Sequence, residues 1–577
     1  MLVENGLIWQ WTNAVDACEP REASGYVNWM KIDEKEGRIV ALGSGKAPDF
    51  IRDQNEVTID LQGKLVLPGL HDSHIHVYLI GEVAHYVDLR GTRSFEELEQ
   101  RVKAHAKKYP DIEWIVGFGW EQDKLSSEAR YPSRYDLDSI LPDRPVYLWR
   151  VCWHISVVNS KALEIAGWKS DAILPEWKNI AGGVVDVDSN DVPTGVLREA
   201  AVNIVQKFIK EQSDESRMKY LDMGMQTCLQ FGLTSKYFVV NFSNLLFGVH
   251  TNDHNAWYLY QILQDAGQVP IRIYVTPDQN EVGKSDEKYL PQPKTKCGLL
   301  SCDRVKIFSD GSLGAETAAL REPYRDTTNR GVLMMSDAEM LNQIRVAKNA
   351  GYRLEVHAIG DRAAEQVLNA MEEAGLTRED RPILTHCQIL GPDLIAKMSR
   401  LGVIGDIQPS FVLTDATFAE KRLPSSVVPY SYCWKSMTQA GIICAGGSDA
   451  PIETSNPFQG IYDAIHRTVP GSTNFLHNHK EMLSFAEALQ MYTINGAYAA
   501  YDEHQLGQLA VGFYADFVVV NYNVDQDTSA LLKPDIVHSV YVQGRKRYDG
   551  NKKVNSPVAP GLPGKNGKIR VCPCCRC

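Results

Sequence analysis

Two histidines separated by one residue, His74 and His76, stand at the end of the segment LPGLHDSHIH, residues 67–76. Alternate side chains of a β-strand point to the same face, so both imidazoles would project together from the carboxyl end of this strand. Two adjacent imidazoles can hold one metal ion. The same pattern is also typical of a surface strand that carries two histidines, so the pattern alone leaves both interpretations open.

Four further candidate ligands stand at the ends of short apolar or β-branched runs that give way to Gly, Asp or Ser. They are Lys306 in RVKIFSDGSLG, His357 in YRLEVHAIGD, His386 in PILTHCQ and Asp449 in IICAGGSDAP. Each run has the length and composition of a strand. Each of these side chains is therefore a potential ligand at a strand terminus.

The elements that would position these side chains alternate between strands and helices, as in parallel sheets and barrels. Capping boxes at Ser336 with Glu339 and at Ser484 with Glu487 mark two helix starts, and the second would begin one helix over ALQMYTINGAYAA. The HxH strand and seven later segments make eight predicted strands, the later ones being 232–240, 271–277, 304–310, the runs that end at His357 and His386, 402–410 and 442–449. The candidate ligands then lie at the carboxyl ends of strands one, four, five, six and eight, where barrel enzymes assemble their active sites.

Both ends of the chain are rich in strand-like runs. YVNWMKID, RIVALG and VTIDLQGKLVLPG come early, and ADFVVVNYN and VHSVYVQGRKRYDG come late. We therefore predict a β-sandwich domain built from residues 1–66 and 505–550, beside an α/β domain over residues 67–504.

The last segment, residues 551–577, has a linker-like composition and ends in CPCCRC, with Cys572, Cys574, Cys575 and Cys577. Three interpretations compete: a disordered thiol-rich tail, a soft-metal site, and double prenylation at a terminal CXC. We favour the disordered tail, because no basic amphipathic helix supports an anchor. The other eight of the twelve cysteines are scattered, which is typical of reduced thiols in a cytoplasmic protein.

The composition limits the class of partner. The 577 residues carry a net charge of -12 and no block rich in Lys or Arg, which argues against nucleic acid or an anionic membrane as the main partner. No apolar stretch approaches the roughly 20 residues of a membrane helix, and the first residues lack the pattern of a secretion signal. We expect a cytoplasmic protein that acts on a small-molecule substrate.

With these elements in place, the chain resembles the amidohydrolase superfamily of metal-dependent hydrolases, and within it the amidohydrolase-3 branch that includes N-substituted formamide deformylases. The resemblance runs from about residue 30 to residue 548 and rests on ordered motifs, among them PGLHDSHIH, GFGWEQDKL, PTGVLREAA, VKIFSDGSLGAETAALREPY, HAIGDRA, THCQ, GGSDAPIETSNP and LGQLAVGFYADFVVV. It implies a (β/α)8 TIM-type barrel, a β-sandwich formed by both chain ends, and an insertion at about residues 85–220 between barrel strands one and two.

The resemblance also implies a metal role for each candidate ligand. His74 and His76 would bind the more buried divalent ion, and His357 and His386 would bind a second ion. Lys306 would carry a carbamate derived from carbon dioxide that bridges the two, because an ammonium cannot be a ligand. If Lys306 stays unmodified, the site holds one ion or is arranged differently. Zinc suits these imidazole and carboxylate ligands, with iron, manganese and nickel as alternatives, and we expect one or two ions per chain.

The implied reaction is the hydrolysis of a carbon–nitrogen bond, other than a peptide bond, in a small amide. Zinc-like ions lower the pKa of bound water towards about 7 and polarise the carbonyl. Asp449 touches the buried ion, accepts the water proton and passes it to the leaving nitrogen. The same ligands would equally serve a deaminase or an ester or lactone hydrolase. A non-catalytic scaffold relative is a further alternative, although such relatives lose metal ligands that are all present here.

The predicted insertion contains an unusual number of aromatic and polar residues, among them Trp120, Trp149, Arg150, Trp153, His154 and Glu199. We predict that Trp120, His154 and Glu199 contact the substrate, with packing inside the insertion as the alternative. Gln408 is a further candidate substrate contact. The run that contains Asp310 and Ser312 would shape the loop after strand four. The sequence does not give the oligomeric state, although a homodimer is common for the architecture that the resemblance implies.

Overall fold

A computed structural model gives the structure of the chain. It describes residues 1–11, 23–53, 56–125, 130–169, 172–180, 183–209, 213–239, 254–277, 279, 282, 291–292, 294–295, 297–416, 418–468 and 479–551. The tail prediction, apart from residue 551, lies outside the described residues. Within the described ranges, no helix combines the length and the apolar character needed to cross a membrane.

The strands supply the sheets that hold the candidate ligands. In chain order they are β1 Leu2–Trp11, β2 Ala23–Asp33, β3 Arg38–Gly43, β4 Thr58–Asp60, β5 Leu65–Pro68, β6 Leu70–Ile75, β7 Val87–Asp88, β8 Ile115–Trp120, β9 Val146–Arg150, β10 Ile155–Val158, β11 Gly183–Val187, β12 Pro193–Glu199, β13 Leu233–Val239, β14 Arg272–Thr276, β15 Leu300–Ser301, β16 Arg304–Phe308, β17 Arg353–Ala358, β18 Ile383–His386, β19 Ile404–Ile407, β20 Cys444–Gly446, β21 Phe517–Val520, β22 Val537–Val542 and β23 Arg545–Asp549.

The α-helices mostly connect these strands. In chain order they are α1 Val77–Val83, α2 Phe95–Lys108, α3 Gln122–Leu125, α4 Arg134–Ile140, α5 Ser160–Ile165, α6 Asn203–Gln206, α7 Asp214–Gln230, α8 His254–Asp265, α9 Asp337–Asn349, α10 Asp361–Glu373, α11 Pro392–Leu401, α12 Phe411–Asp415, α13 Ala419–Arg422, α14 Trp434–Gln439, α15 Pro457–His466, α16 Phe485–Met491 and α17 Ile494–Ala499.

Strands from both chain ends share one sheet, which has eight strands within the described ranges. Its order is β23-β22-β21-β5-β1-β2-β3, and β4 pairs with β1. The antiparallel pair of β5 and β21 joins the two ends directly, with Leu65 opposite Val520 and Pro68 opposite Phe517. The arrangement of this sheet as a two-layer sandwich stays a prediction.

The sequence pattern does not predict strand β1, because Glu4, Asn5 and Gly6 interrupt its apolar residues. Asn5 has a left-handed φ of 59°, and the register with β2 shifts between Glu4 and Ile8. A β-bulge of this kind takes up extra residues while the strand continues on both sides. β1 therefore still pairs with β2, β4 and β5.

The core of this sheet fixes the start of the strand that carries the HxH motif. Strand β5 passes into β6 through Gly69, whose N–H donates to the carbonyl of Asp516 at 2.8 Å. The rings of Phe517 and Tyr541 stack with their centroids 4.3 Å apart. Apolar side chains from both chain ends form one buried cluster that includes both rings: Val3, Ile8, Met30, Ile32, Ile39, Leu61, Val66, Leu509, Ala515, Phe517, Val519 and Tyr541.

Each of the eight segments predicted as strands of the α/β body contains a parallel strand: β6, β13, β14 and β16 to β20. They form two sheets, in the orders β15-β14-β13-β6 and β16-β17-β18-β19-β20. At one junction of these sheets the N–H of Lys306 donates to the carbonyl of Pro277 at 2.9 Å, and at the other the N–H of Asp449 donates to the carbonyl of His74 at 2.7 Å. The two sheets thus adjoin at both edges, but their strand ladders are separate in the described part of the chain, and a closed barrel stays a prediction.

The chain divides into two compact units, and the described part of the second lies within Tyr78–Tyr220. This unit spans the segment 85–220 for which we predict an insertion. Its sheet has the order β11-β12-β10-β9-β8-β7, and β7, β8 and β9 run parallel. The hydroxyl of Ser94 accepts from the Glu97 N–H at 3.2 Å and caps helix α2, which packs on this sheet.

Both predicted capping boxes are present, before α9 and before α16. The prediction of one continuous helix after Ser484 is wrong, because the chain breaks at Tyr492 and Thr493 between α16 and α17. Thr493 has non-helical dihedral angles, φ −131° and ψ −92°. The carbonyl freed at Tyr492 accepts from the His71 N–H at 2.7 Å, so the break ties the helices to β6.

Candidate metal centre

The HxH motif and Asp449 lie side by side because the chain segments that carry them are hydrogen-bonded to each other. His74 is on β6 and His76 follows it, while Asp449 follows β20. The N–H of Asp449 donates to the His74 carbonyl at 2.7 Å, and the N–H of His76 donates to the Ala450 carbonyl at 2.9 Å. A left-handed φ of 57° at Asp449 completes the turn.

Three side-chain atoms converge at this junction. One carboxylate oxygen of Asp449, Oδ1, lies 2.8 Å from Nε2 of His76 and 3.3 Å from Nε2 of His74. All three residues are buried, and the three donor atoms lie within 4.8 Å of one another. Two imidazoles and a carboxylate are donors that zinc and similar ions accept in proteins. The donor set therefore fits one divalent ion.

Burial and charge act in opposite directions on these groups. Burial raises the pKa of Asp449, but hydrogen bonds from His74 and His76 hold it well below its usual range. Burial lowers the pKa of His76 to about 4. Burial and the Lys306 ammonium lower the pKa of His74, but the carboxylates of Glu355 and Asp449 outweigh them and raise it to about 9. Asp449 is therefore ionised at neutral pH.

A second carboxylate, Glu355 on β17, lies on the opposite edge of the His74 ring. Nδ1 of His74 donates to Oε1 of Glu355 at 2.7 Å. The same carboxylate accepts from Nζ of Lys306 at 3.0 Å and from Nη1 of Arg304 at 3.2 Å. Burial raises the pKa of Glu355, but Lys306, His74 and Arg304 hold it well below its usual range. The predicted ligand Lys306 is thus ion-paired to Glu355.

Asp406 on β19 forms a second acidic group near Nδ1 of His74. Its Oδ1 accepts from the Ser73 hydroxyl at 2.5 Å, and its Oδ2 lies 3.6 Å from His74 Nδ1. Burial, with the nearby Glu355 carboxylate, raises the pKa of Asp406 to about 6. His74, Glu355 and Asp406 are close enough to share an ion, but Lys306 and Arg304 already neutralise Glu355. We therefore describe this group as support for the His74 ring.

His357 and His386 lie beside the HxH pair, but other groups hold them. The His386 ring is 5.4 Å from that of His74 and 4.5 Å from that of His357. Nδ1 of His386 donates to Oε1 of Gln408 at 2.8 Å, and Nε2 of His357 donates to the Gly311 carbonyl at 3.0 Å. The structure thus gathers the donors of His74, His76 and Asp449, and the second-ion roles of Lys306, His357 and His386 stay predictions.

Gln408 positions the His386 ring in this structure, and its predicted contact with substrate stays a prediction. Asp310 shapes the loop after β16: its carboxylate accepts from the N–H groups of Ala319, Ile359 and Gly360 at 2.8 to 3.0 Å. This agrees with the loop-shaping role expected for its run.

The other three predicted substrate contacts belong to the second unit. Trp120 is fully buried, and its indole N–H donates to the Leu148 carbonyl at 2.9 Å. Nδ1 of His154 lies 2.8 Å from Oε2 of Glu199, which has a left-handed φ of 49°. Trp120 thus packs in the core of its unit, and the substrate roles of all three stay predictions.

Glu355 and Asp406 are not among the site residues expected from the sequence, although a signal for both exists. Glu355 stands two residues before His357, and Asp406 stands two residues before Gln408. Residues two apart in a strand share a face. Both are charged residues in apolar strands, on the same face as a candidate site residue. This pattern would have identified both.

Known proteins are similar to this chain over most of its length. A sequence model described as "Amidohydrolase family" matches residues 57–548. YtcJ of Bacillus subtilis, a protein named as an amidohydrolase, is 33% identical over 473 residues, which cover 80% of this chain and 85% of that protein. The N-substituted formamide deformylase of Arthrobacter pascens is 25% identical over 531 residues, which cover 89% of this chain and 94% of that protein.

A solved structure is similar over nearly the whole chain. It is an uncharacterized metal-dependent hydrolase from Pyrococcus furiosus, with a TM-score of 0.69 and 29% sequence identity. The match covers 91% of this chain and 99% of that one. The two molecules therefore share their fold over the residues that match.

Proposed function

Because the chain belongs to the amidohydrolase family, as the match over residues 57–548 shows, we propose that it cleaves a carbon–nitrogen bond, other than a peptide bond, in a small molecule. The membership and the similar metal-dependent hydrolase make this chain a metal-dependent hydrolase of that superfamily. The observation that carries the proposal is the convergence of buried donor atoms from His74, His76 and Asp449. The relative named as a formamide deformylase supports a small amide as substrate.

His74, His76 and Asp449 would hold one divalent ion, and zinc is our proposal for it. When bound, such an ion supplies Lewis-acid chemistry and lowers the pKa of water to about 7. Lys306, His357 and His386 would complete a second position if carbon dioxide converts Lys306 to a carbamate. That step requires the Lys306 amine to leave its ion pair with Glu355, 3.0 Å away.

Asp449 is the proton-transfer residue of this proposal. Its carboxylate is ionised at neutral pH, as its lowered pKa indicates, so it can accept a proton from the attacking water. It then donates that proton to the leaving nitrogen, because an amine leaves readily only when protonated. One carboxylate thus acts first as base and then as acid. His386 and His357 line the same end of the strands.

We test the metal site by counting metal equivalents per chain with plasma mass spectrometry after reconstitution with zinc in bicarbonate buffer. We expect one to two equivalents in the natural chain and a large loss in His76→Ala, since that change removes one of three donors. His504→Ala is the matched control, because the His504 side chain is 90% exposed and His504 is not a predicted ligand. Two equivalents support the carbamate, and one supports an unmodified Lys306.

A natural chain that binds no metal under these conditions contradicts the proposal and favours a scaffold role. If metal is bound, panels of formamides, other amides, aminated heterocycles, esters and lactones identify the reaction. Turnover of amides alone supports the proposed chemistry. Turnover confined to lactones, esters or aminated rings would replace it with the corresponding alternative.

A further inference from the structure

We infer that Glu355 is a positioning residue for the metal centre: its carboxylate holds the His74 ring so that Nδ1 keeps its proton and Nε2 faces the ion. Nothing in the family match assigns a role to this residue. The inference rests on the proposed metal site and deepens it.

The contacts of the His74 ring fix its orientation. Nδ1 lies 2.7 Å from Oε1 of Glu355, and a carboxylate oxygen can only accept from it. The other ring nitrogen, Nε2, lies 3.3 Å from Oδ1 of Asp449, on the side of the candidate metal donors. A hydrogen bond to one ring nitrogen determines which nitrogen remains for a metal. Glu355 therefore assigns the metal-binding position to Nε2.

Glu355 is itself held from two further directions, so it has little freedom to release the ring. Nζ of Lys306 donates to Oε1, and Nη1 of Arg304 donates to Oε2. Lys306 is also the register partner of Glu355 across the parallel pair of β16 and β17. Glu355 is fully buried, where such ion pairs are screened least. The ring orientation is therefore built in before any ion arrives.

A carboxylate on Nδ1 also makes Nε2 a better electron donor to a metal. Hydrogen-bond partners of metal-bound histidines change metal affinity by about 10- to 100-fold when they are removed. The energetic effect of Glu355 should therefore appear in metal binding. A residue that only filled space in the core would change stability instead.

The experiment measures the zinc dissociation constant by competition with a chelator for the full-length protein. We expect Glu355→Ala to weaken zinc binding by about 100-fold and Glu355→Gln, which keeps an oxygen acceptor for Nδ1, by about 10-fold. The absorption spectrum of the cobalt-substituted protein should shift in both variants, because the field of the His74 ligand changes. If Glu355→Ala fails to fold, Glu355→Gln carries the test with the same readouts.

Arg272→Met is the matched control, because it breaks a different buried ion pair, that of Arg272 with Asp516. It should lower the melting temperature of the metal-free protein and leave the zinc dissociation constant within about threefold of the natural value. Zinc binding within twofold of natural in the Glu355 variants overturns the inference, as does an equal loss in Arg272→Met. A natural chain without zinc binding overturns the proposed function itself, which is a distinct result.

Discussion

At the scale of single residues, the site depends on one carboxylate in an unusual backbone conformation. Asp449 has a left-handed φ of 57°, which costs an L-residue free energy unless its surroundings hold it. Its N–H donates to His74, and its carbonyl accepts from the Ile452 N–H at 3.0 Å. These bonds keep its side chain aimed at both histidines. The unusual backbone conformation therefore keeps the Asp449 carboxylate in position.

Asp449→Asn should lower kcat by about 100- to 10,000-fold, because an amide cannot accept the proton of the attacking water. Asn tolerates the left-handed conformation, so the backbone should not change. The measurement is kcat with metal content determined on the same samples. Asp326→Asn is the matched control, since Asp326 also has a left-handed φ, 58°, but is exposed in a loop. A variant at Asp449 with near-natural kcat would remove the proton-transfer role.

At the scale of elements, the loops after the strands hold the ligands, and close backbone contacts fix these loops. Gly360 is the N-cap of α10, three residues after His357. A Cβ at Gly360 would lie 2.0 Å from the Ala319 carbonyl oxygen. The Asp310 carboxylate accepts from the N–H groups of Ile359 and Gly360 as well. Backbone packing at this point therefore positions the strand end that carries His357.

Gly360→Ala should lower the free energy of unfolding by about 3 kcal/mol, because the added methyl overlaps backbone that cannot move aside. Gly391→Ala is the matched control. Gly391 is also a helix N-cap residue in an extended conformation, but a Cβ added there would meet only the Asp393 carboxylate. Urea unfolding of both variants measures the difference. Equal stability of the two variants would show that the backbone at Ala319 moves aside at little cost.

At the scale of the whole molecule, buried charge joins the C-terminal strands to the parallel strands within the first unit. Nε and Nη2 of Arg272, on β14, donate to the Asp516 carboxylate at 2.9 and 3.2 Å. The same carboxylate accepts from the Gln543 N–H at 2.8 Å. Both charged side chains are almost fully buried. The late strands are therefore coupled to the sheet that carries His74.

Arg272→Ala should lower the free energy of unfolding by about 3 to 5 kcal/mol, because it leaves the Asp516 charge buried without its partner. The matched control is Arg400→Ala, which breaks an exposed pair with Glu372 and should cost at most about 1 kcal/mol. Chemical unfolding followed by tryptophan fluorescence measures both. A loss at Arg272 no larger than at Arg400 would mean that water reaches Asp516 when the arginine is removed.

The local features of this protein follow from its amino-acid sequence. Strand and helix periodicity are properties of neighbouring residues, so the eight strands of the α/β body and both capping boxes could be predicted. The HxH spacing likewise predicts that His74 and His76 share a face. Strand β1 and the break at Thr493 could not be predicted, because pairing partners distant in the chain override the local pattern there.

Which side chains meet depends on the three-dimensional fold. Glu355 reaches the His74 ring from 281 residues away, and Asp449 reaches His76 from 373 residues away. A sequence pattern records the face on which each side chain lies, but not the partner opposite it. The folded sheets supply that partner, because parallel strands bring distant segments into register and exclude water from the charges between them. The ion pair of Lys306 with Glu355 is therefore visible only in the fold.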